Sequence, residues 1–161
     1  MTRRAVVSAA CHGTLMYITV EGLGSMNNSN GMYRFLHQGF EADYKDVCID
    51  LRGCDGMDST FMGTLLLIHE EAVRSGGSLF LVNLSDYNRS KLEELGVAHF
   101  LQIGEAPEVE GFSIKALPSE EGQGSGKMSL ILRAHEELVE KNKKNSEVFG
   151  SFIKALKGNF Q

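Results

Sequence analysis

The 161-residue sequence has no tryptophan, only two prolines and three cysteines, and positive charge is scarce in it. Its 16 lysines and arginines face 21 aspartates and glutamates, for a net charge of -5. No basic block could neutralise a run of phosphates, and no apolar run approaches the roughly 18 residues of a membrane helix. We therefore expect neither nucleic-acid binding nor membrane insertion. The length suits one ordinary domain with a core.

The three cysteines, Cys11, Cys48 and Cys54, are an odd number and lack C-x-x-C spacing. That pattern favours reduced thiols and a cytoplasmic location over a disulfide framework. A zinc site made by these residues with His12 is an open alternative, although the ligand spacing of structural zinc sites is missing. We predict that the cysteines are small buried residues, and we expect no metal and no cofactor.

The order of apolar runs predicts strands that alternate with helices. Strands are predicted at residues 6–10, 15–20, 47–51 and 79–84, with a last strand at 100–103 or 112–116. Helices are predicted near residues 28–42, 65–72 and 87–95. The first two strands form a predicted hairpin. Elements that alternate in this way indicate an α/β fold, in which helices pack against a sheet.

A change of composition after residue 117 predicts three segments. Residues 1–117 form the predicted regulatory domain, 118–127 a flexible linker, and 128–161 an amphipathic helix or helix pair. The last segment carries six positive and four negative side chains, so its net charge is +2. The residues before it carry 10 positive and 17 negative side chains, so their net charge is -7. Docking of the tail on the body explains this asymmetry, and so does a solvated helix face. We expect the domain to fold without the tail.

The most informative segment begins after the predicted strand at 47–51 and reads Asp58-Ser59-Thr60, where the next helix should start. Asp58 or Ser59 is a natural N-cap, because a side-chain oxygen there accepts from unpaired backbone N–H groups. A phosphate on Ser59 would lie at the positive end of the helix dipole. Spacing alone leaves both the helix cap and the phosphorylation site open.

This segment, with Gly63 and an apolar helix after it, resembles the Asp-Ser-Ser/Thr-Gly switch motif of anti-sigma factor antagonists, which are STAS domains. Residues 79–85, 92–97 and 100–103 continue the resemblance, which covers residues 5–103. It implies a STAS-like mixed sheet with helices packed against it, while the C-terminal helices lie outside the common domain. The sequence departs from the motif at Phe61, where the family often has glycine.

The resemblance implies a phosphorylation-controlled partner switch. The implied phosphoacceptor is Ser59, with Thr60 as the fallback, and the implied partner-binding segment is Asp58, Ser59, Thr60, Phe61, Met62 and Gly63. The implied partners are an anti-sigma factor that is a serine/threonine kinase of the histidine-kinase-like ATPase type, and a PP2C-type phosphatase. The unmodified chain would bind the kinase, and phosphorylation would release it.

Two other functions stay open. One is a STAS scaffold or transporter-associated module that binds proteins without being phosphorylated, with the terminal helices as its main contact. The other is a small hydrolase that uses Ser59, but the G-x-S-x-G context is absent and His69 would pair with Ser59 only by an accident of the fold. The glycines Gly22 and Gly24 are predicted to be turn residues, because the third glycine of a dinucleotide fingerprint is missing. We predict that the chain is not an enzyme.

Overall fold

The structure is a computed structural model that describes residues 4–105, 113–119 and 124–158. The strands in these ranges are β1 Val6–His12, β2 Leu15–Gly24, β3 Asp46–Met57, β4 Ser78–Val82, β5 Gln102–Gly104 and β6 Lys115–Ala116. The helices are α1 Met26–Glu41, α2 Ser59–Arg74, α3 Asp86–Glu94, α4 Ser125–Lys141 and α5 Asn145–Gly158. A short 3-10 helix at Ala98–Phe100 precedes β5.

The strands form one mixed sheet in the order β5-β4-β3-β2-β1-β6. β1 and β2 are the predicted antiparallel hairpin, and β2, β3, β4 and β5 run parallel to one another. The predicted α/β fold with a mixed sheet is confirmed. Each of the two segments considered for the last strand contributes a strand. β5 lies beside β4 and β6 lies beside β1, at opposite edges of the sheet.

The core lies between the sheet and the helices, as the alternation along β2 shows. Met16, Ile18 and Val20 are fully buried, and they belong to the same hydrophobic cluster as Met32 of α1 and Leu65 of α2. The residues between them in β2 are only partly buried. A strand of period two that packs on helices with one face produces this pattern.

Helices α1, α2 and α3 each begin just after a parallel strand, so their N-termini lie at the carboxyl edge of the sheet. Each is capped by a side chain that accepts from a backbone N–H of the first turn: Ser25 for α1, Asp58 for α2 and Ser85 for α3. In α1 the side chain of Asn28 also accepts from the Ser25 N–H and completes a capping box. Of the two candidate caps of α2, the structure selects Asp58.

The prediction that Gly22 and Gly24 form a turn was wrong, because β2 continues through both residues to its end at Gly24. Gly22 has a φ of +79°, and the strand register shifts there relative to β3. A Cβ at Gly24 would lie 2.8 Å from the ring of Phe61. The missing side chain therefore makes room for that ring at the start of α2.

The C-terminal region is the predicted helix pair, and it packs on the body. Helix α4 begins at Ser125, inside the segment predicted as a linker at 118–127, of which residues 120–123 lie outside the described residues. Its Leu130, Ala134 and Leu138 are buried, and Leu138 belongs to the same hydrophobic cluster as the sheet. The domain boundary near residue 117, and the folding of residues 1–117 alone, stay predictions.

Candidate functional site

Asp58 joins the beginnings of two helices immediately before Ser59. Its Oδ1 accepts from the backbone N–H of Phe61 at 2.8 Å, and its Oδ2 accepts from the N–H of Met26 at 2.9 Å. The carboxylate thus satisfies one first-turn N–H of α2 and one of α1, where the helix dipoles favour negative charge. Ser59 is freed from a capping role, so its hydroxyl is available for another contact.

That contact is His135 of α4, which the sequence analysis did not identify. Ser59 Oγ lies 2.8 Å from His135 Nε2, and His135 Nδ1 lies 2.7 Å from the carbonyl oxygen of Ile131. A carbonyl oxygen only accepts, so Nδ1 must carry the hydrogen. Burial lowers the pKa of His135 below its ordinary value despite this carbonyl and the charge of Asp58. In the resulting neutral ring Nε2 accepts a hydrogen bond from the Ser59 hydroxyl.

Helix α4 covers the first turns of α2 closely. A Cβ on Gly63 would lie 2.3 Å from the carbonyl oxygen of Ala134, so only glycine permits this approach. The His135 ring is 3% exposed and is packed edge-on by Phe149 and Phe152 of α5, with centroid distances of 5.0 and 4.8 Å. Ser59 is consequently a partly buried residue beside α4, and α5 covers the His135 ring that it contacts.

The six residues predicted to bind a partner differ in their access to solvent. Asp58 and Ser59 are partly exposed, whereas Thr60, Phe61, Met62 and Gly63 are buried. Phe61 is fully enclosed by the core, and Gly63 is enclosed by α4. In this conformation a partner therefore cannot touch the four buried residues, and Thr60 is inaccessible as a fallback acceptor. Their contact with a partner stays a prediction.

Polar contacts are made near both ends of α4. Lys127 Nζ donates to Asn27 Oδ1 of α1 at 2.7 Å, and the Lys141 ammonium lies 2.6 Å from Glu70 Oε1 of α2. Lys141 also lies 3.3 Å from the buried Oε1 of Glu137, one turn earlier in α4. In these contacts the ammonium groups of Lys127 and Lys141 belong to α4. Their partners Asn27 and Glu70 belong to the body of the domain.

The buried Glu137 carboxyl of α4 predicts that the stability of the protein depends on pH. Burial, with the neighbouring Glu70 carboxylate, raises the pKa of Glu137 to about 7, and Lys141 only partly opposes this. A carboxyl group whose pKa is raised in the folded state stabilises the folded protein fully when the pH is below 4.5, the pKa of this group in the unfolded chain. This contribution is lost as the pH rises towards 7. We predict that the Glu137→Gln variant loses less stability than the wild type between pH 5 and pH 7.5.

Urea unfolding followed by circular dichroism at several pH values measures this difference. Glu140→Gln is the matched control, because Glu140 is a less buried residue of the same helix. It should keep the pH dependence of the wild type. Equal pH dependence in all three proteins would show that Glu137 does not titrate in this range.

The other candidate residues are not brought to Ser59. Cys11 is exposed on β1, so the prediction of buried cysteines is wrong there, because the end of the hairpin extends beyond the core. Cys48 and Cys54 in β3 are buried, and burial raises the pKa of both thiols, which keeps them protonated. His69 lies three turns along α2 and borders a surface cleft with Phe100.

Metal binding gains no support from the structure. Within the described ranges no group of three His, Cys, Asp or Glu side chains could hold a metal ion. The zinc alternative requires the cysteines to converge with His12. Cys11 and His12 lie at the exposed end of β1, whereas Cys48 and Cys54 are buried in β3.

The STAS family model matches residues 7–108, which is more than half of the chain. The chain belongs to the STAS domain family. Helices α4 and α5 follow the matched region and are additions to this STAS domain. No curated protein sequence matches the chain. In the part of the chain that the structure describes, no helix combines the length and the apolar character needed to cross a bilayer.

Solved structures share the fold at low identity. SpoIIAA, an anti-sigma factor antagonist, in its unphosphorylated form is 15% identical with a TM-score of 0.57, over 63% of this chain and 89% of that one. An anti-sigma factor antagonist from Mycobacterium paratuberculosis is 14% identical with a TM-score of 0.55, over 64% and 87%. SLC26A9 is 14% identical with a TM-score of 0.51, over 92% of this chain and 26% of that one. The TM-scores show a common fold, and at these identities the likeness shows the fold alone.

Proposed function

We propose that this STAS domain is an anti-sigma factor antagonist that acts as a phosphorylation-controlled partner switch, with Ser59 as the phosphoacceptor. The observation that carries the proposal is the position of the Ser59 hydroxyl, in the first turn of α2 and next to the Asp58 cap. Unpaired N–H groups and the helix dipole at that position stabilise a phosphate. The fold itself therefore tolerates the modification, and its effect falls on whatever covers Ser59.

The proposed partner is an anti-sigma factor that is a serine/threonine kinase of the histidine-kinase-like ATPase type, and a PP2C-type phosphatase would reverse the reaction. SpoIIAA, which shares the fold, is known in an unphosphorylated and a phosphorylated form. In this proposal the chain is a substrate and a binding surface, not an enzyme, and it needs no cofactor. A cytoplasmic location follows because sigma factors act on transcription.

A hydrolase would use the same Ser59 and His135 atoms, which lie at a distance suited to a nucleophile and its base. However, the His135 ring is buried beneath Phe149 and Phe152 of α5, and five surface clefts in the described ranges are lined by residues other than Ser59. None of these five clefts would hold a substrate beside the hydroxyl. This favours modification of Ser59 over catalysis by it.

The test of the proposal is incubation of the full chain with a candidate kinase of the histidine-kinase-like ATPase type, with ATP and magnesium. We expect one phosphate, mapped by mass spectrometry to Ser59 and absent from Ser59→Ala. The control is Ser90→Ala, because Ser90 is an exposed serine on α3. Ser59→Ala should keep the affinity for the kinase, whereas Ser59→Asp should weaken it by about tenfold or more. A tenfold loss of affinity corresponds to about 1.4 kcal/mol.

The reason is that a small neutral hydroxyl or methyl group can lie under a docked partner, whereas an anion there must lose its water. A phosphate mapped to Thr60 would move the switch by one residue. Equal affinity of the kinase for the phosphorylated and unmodified chain would refute the switch mechanism.

One observation favours a second candidate, a STAS module that binds proteins without phosphorylation. The match to SLC26A9 extends over 92% of this chain, far beyond residues 7–108, so it includes part of the C-terminal helices. If these helices are the main contact surface, Ser59→Ala and Ser59→Asp should bind the partner equally. The binding measurements above therefore distinguish the two candidates.

A further inference from the structure

Helix α4 occupies the face of α2 on which the proposed switch depends. It supplies the hydrogen-bond acceptor of the Ser59 hydroxyl, through His135, and its backbone at Ala134 covers Gly63. Helix α5 holds this arrangement from behind, because Phe149 and Phe152 pack on the His135 ring. Any protein that contacts the same face of α2 must compete with α4 for it.

The distance between Ser59 and His135 leaves no room for a phosphate. The Ser59 Oγ and His135 Nε2 atoms are in direct hydrogen-bond contact at 2.8 Å, and a phosphoryl group would have to enter between them. Loss of the hydroxyl proton also removes the donor that Nε2 needs. A dianion at this partly buried position would lose part of its hydration, so docking of α4 and phosphorylation of Ser59 oppose each other.

Helix α4 is held by a buried apolar stripe, Leu130, Ala134 and Leu138, and by polar pairs between side chains. The polar pairs, which are Lys127 with Asn27, Arg133 with Tyr33 and Lys141 with Glu70, are of a kind that can be exchanged for water or for a partner. The segment 128–161 carries a charge of +2 and the preceding residues -7, so the attraction is electrostatic in part. The matched STAS region ends at residue 108, so the cover is an addition to the family domain.

We propose that α4 and α5 form an autoinhibitory lid over Ser59, which must leave α2 before a kinase or partner can reach this residue, and which a phosphate on Ser59 keeps away. This inference rests on the proposed function, because a lid regulates the chain only if Ser59 is its switch. The lid and the partner are competitors for one surface. The unmodified free chain is therefore closed.

The first experiment installs phosphoserine at position 59 of the full chain during translation, so that no kinase is required. Hydrogen–deuterium exchange then reports on each segment. We expect the amides of α4 to exchange at least about tenfold faster than in the unmodified chain, while those of β2 and β3 stay protected. Phosphoserine at Ser90, an exposed position on α3, is the control and should leave α4 protected. Unchanged protection of α4 with phosphoserine at 59 would overturn the proposal.

The second experiment measures access to position 59 without any phosphate. In a Cys11→Ser background, Ser59→Cys provides a thiol whose reaction with a small thiol reagent reports its exposure. Adding Ala134→Glu places a charged side chain against α2 at a fully buried position and should speed the reaction by at least about tenfold. Ala155→Glu is the same substitution at an exposed position of α5 and should leave the rate unchanged.

Protection of β2 and β3 in each variant shows that the sheet is intact. If the thiol introduced at position 59 reacts equally fast with and without Ala134→Glu in an intact fold, that position is already open and the lid does not exist. Neither experiment uses a kinase, so failure of the lid and failure of the proposed function can be distinguished. The lid can fail while a kinase still modifies Ser59, and Ser59 can lack a kinase while the lid still opens.

Discussion

Replacing Phe61 by alanine is expected to lower the free energy of unfolding by about 3–5 kcal/mol, the usual cost of removing a buried aromatic ring. Phe61 is fully buried, and its ring fills the space that the missing side chain of Gly24 leaves at the end of β2. No side chain at that glycine can move in to close the cavity. Urea unfolding monitored by circular dichroism measures the loss.

Phe80→Ala is the matched control for this prediction. Phe80 lies on β4 and is 40% exposed, so the same substitution should cost about 1 kcal/mol or less. Equal losses in the two variants would mean that Phe61 contributes no more than a surface ring. This position is where the sequence departs from the antagonist motif, and the structure gives the departure a packing reason.

Replacing Gly63 by alanine is expected to separate α4 from α2. Alanine is favoured over glycine in a helix interior by about 1 kcal/mol, yet the added Cβ would lie 2.3 Å from the carbonyl oxygen of Ala134. A backbone oxygen cannot turn aside as a flexible side chain can. We expect a net loss of about 1–3 kcal/mol in the free energy of unfolding, and faster amide exchange in α4.

The control is Gly150→Ala in α5, where an added Cβ has no atom within 4 Å. That variant should be as stable as the wild type or gain up to about 1 kcal/mol from the helix propensity of alanine. If Gly63→Ala behaves like Gly150→Ala, the backbones of α2 and α4 are not in close contact, and the lid loses its tightest point.

Local patterns were sufficient to predict most elements of the STAS domain. The apolar run at residues 15–20 predicted the second strand of the hairpin, and the helix predicted near residues 28–42 is α1. These predictions succeed because burial of one face imposes a period of two on strands and of 3.6 on helices. The position of Ser59 at the start of α2 followed from the same reasoning, since a cap residue marks a helix start.

The predictions that failed or stayed incomplete concern the lengths and partners of these elements. The strand at 47–51 extends to Met57, and β2 extends through Gly24, because pairing between the two strands continues beyond the apolar run. Glycines in a strand resemble turn signals in a single sequence. Likewise, both candidates for the last strand are used, and only the sheet order distinguishes their edges.

The order of strands and helices, the family resemblance and the serine at a helix start could be predicted from the amino-acid sequence. What covers that serine depends on the tertiary structure. His135 is 76 positions away from Ser59, and the stripe of Leu130, Ala134 and Leu138 showed that α4 has a buried face without showing which surface it meets. Hydrophobic periodicity is a property of one helix, whereas the contact between Gly63 and Ala134 depends on how two helix faces fit together. The closed state of the Ser59 site is a consequence of that fit.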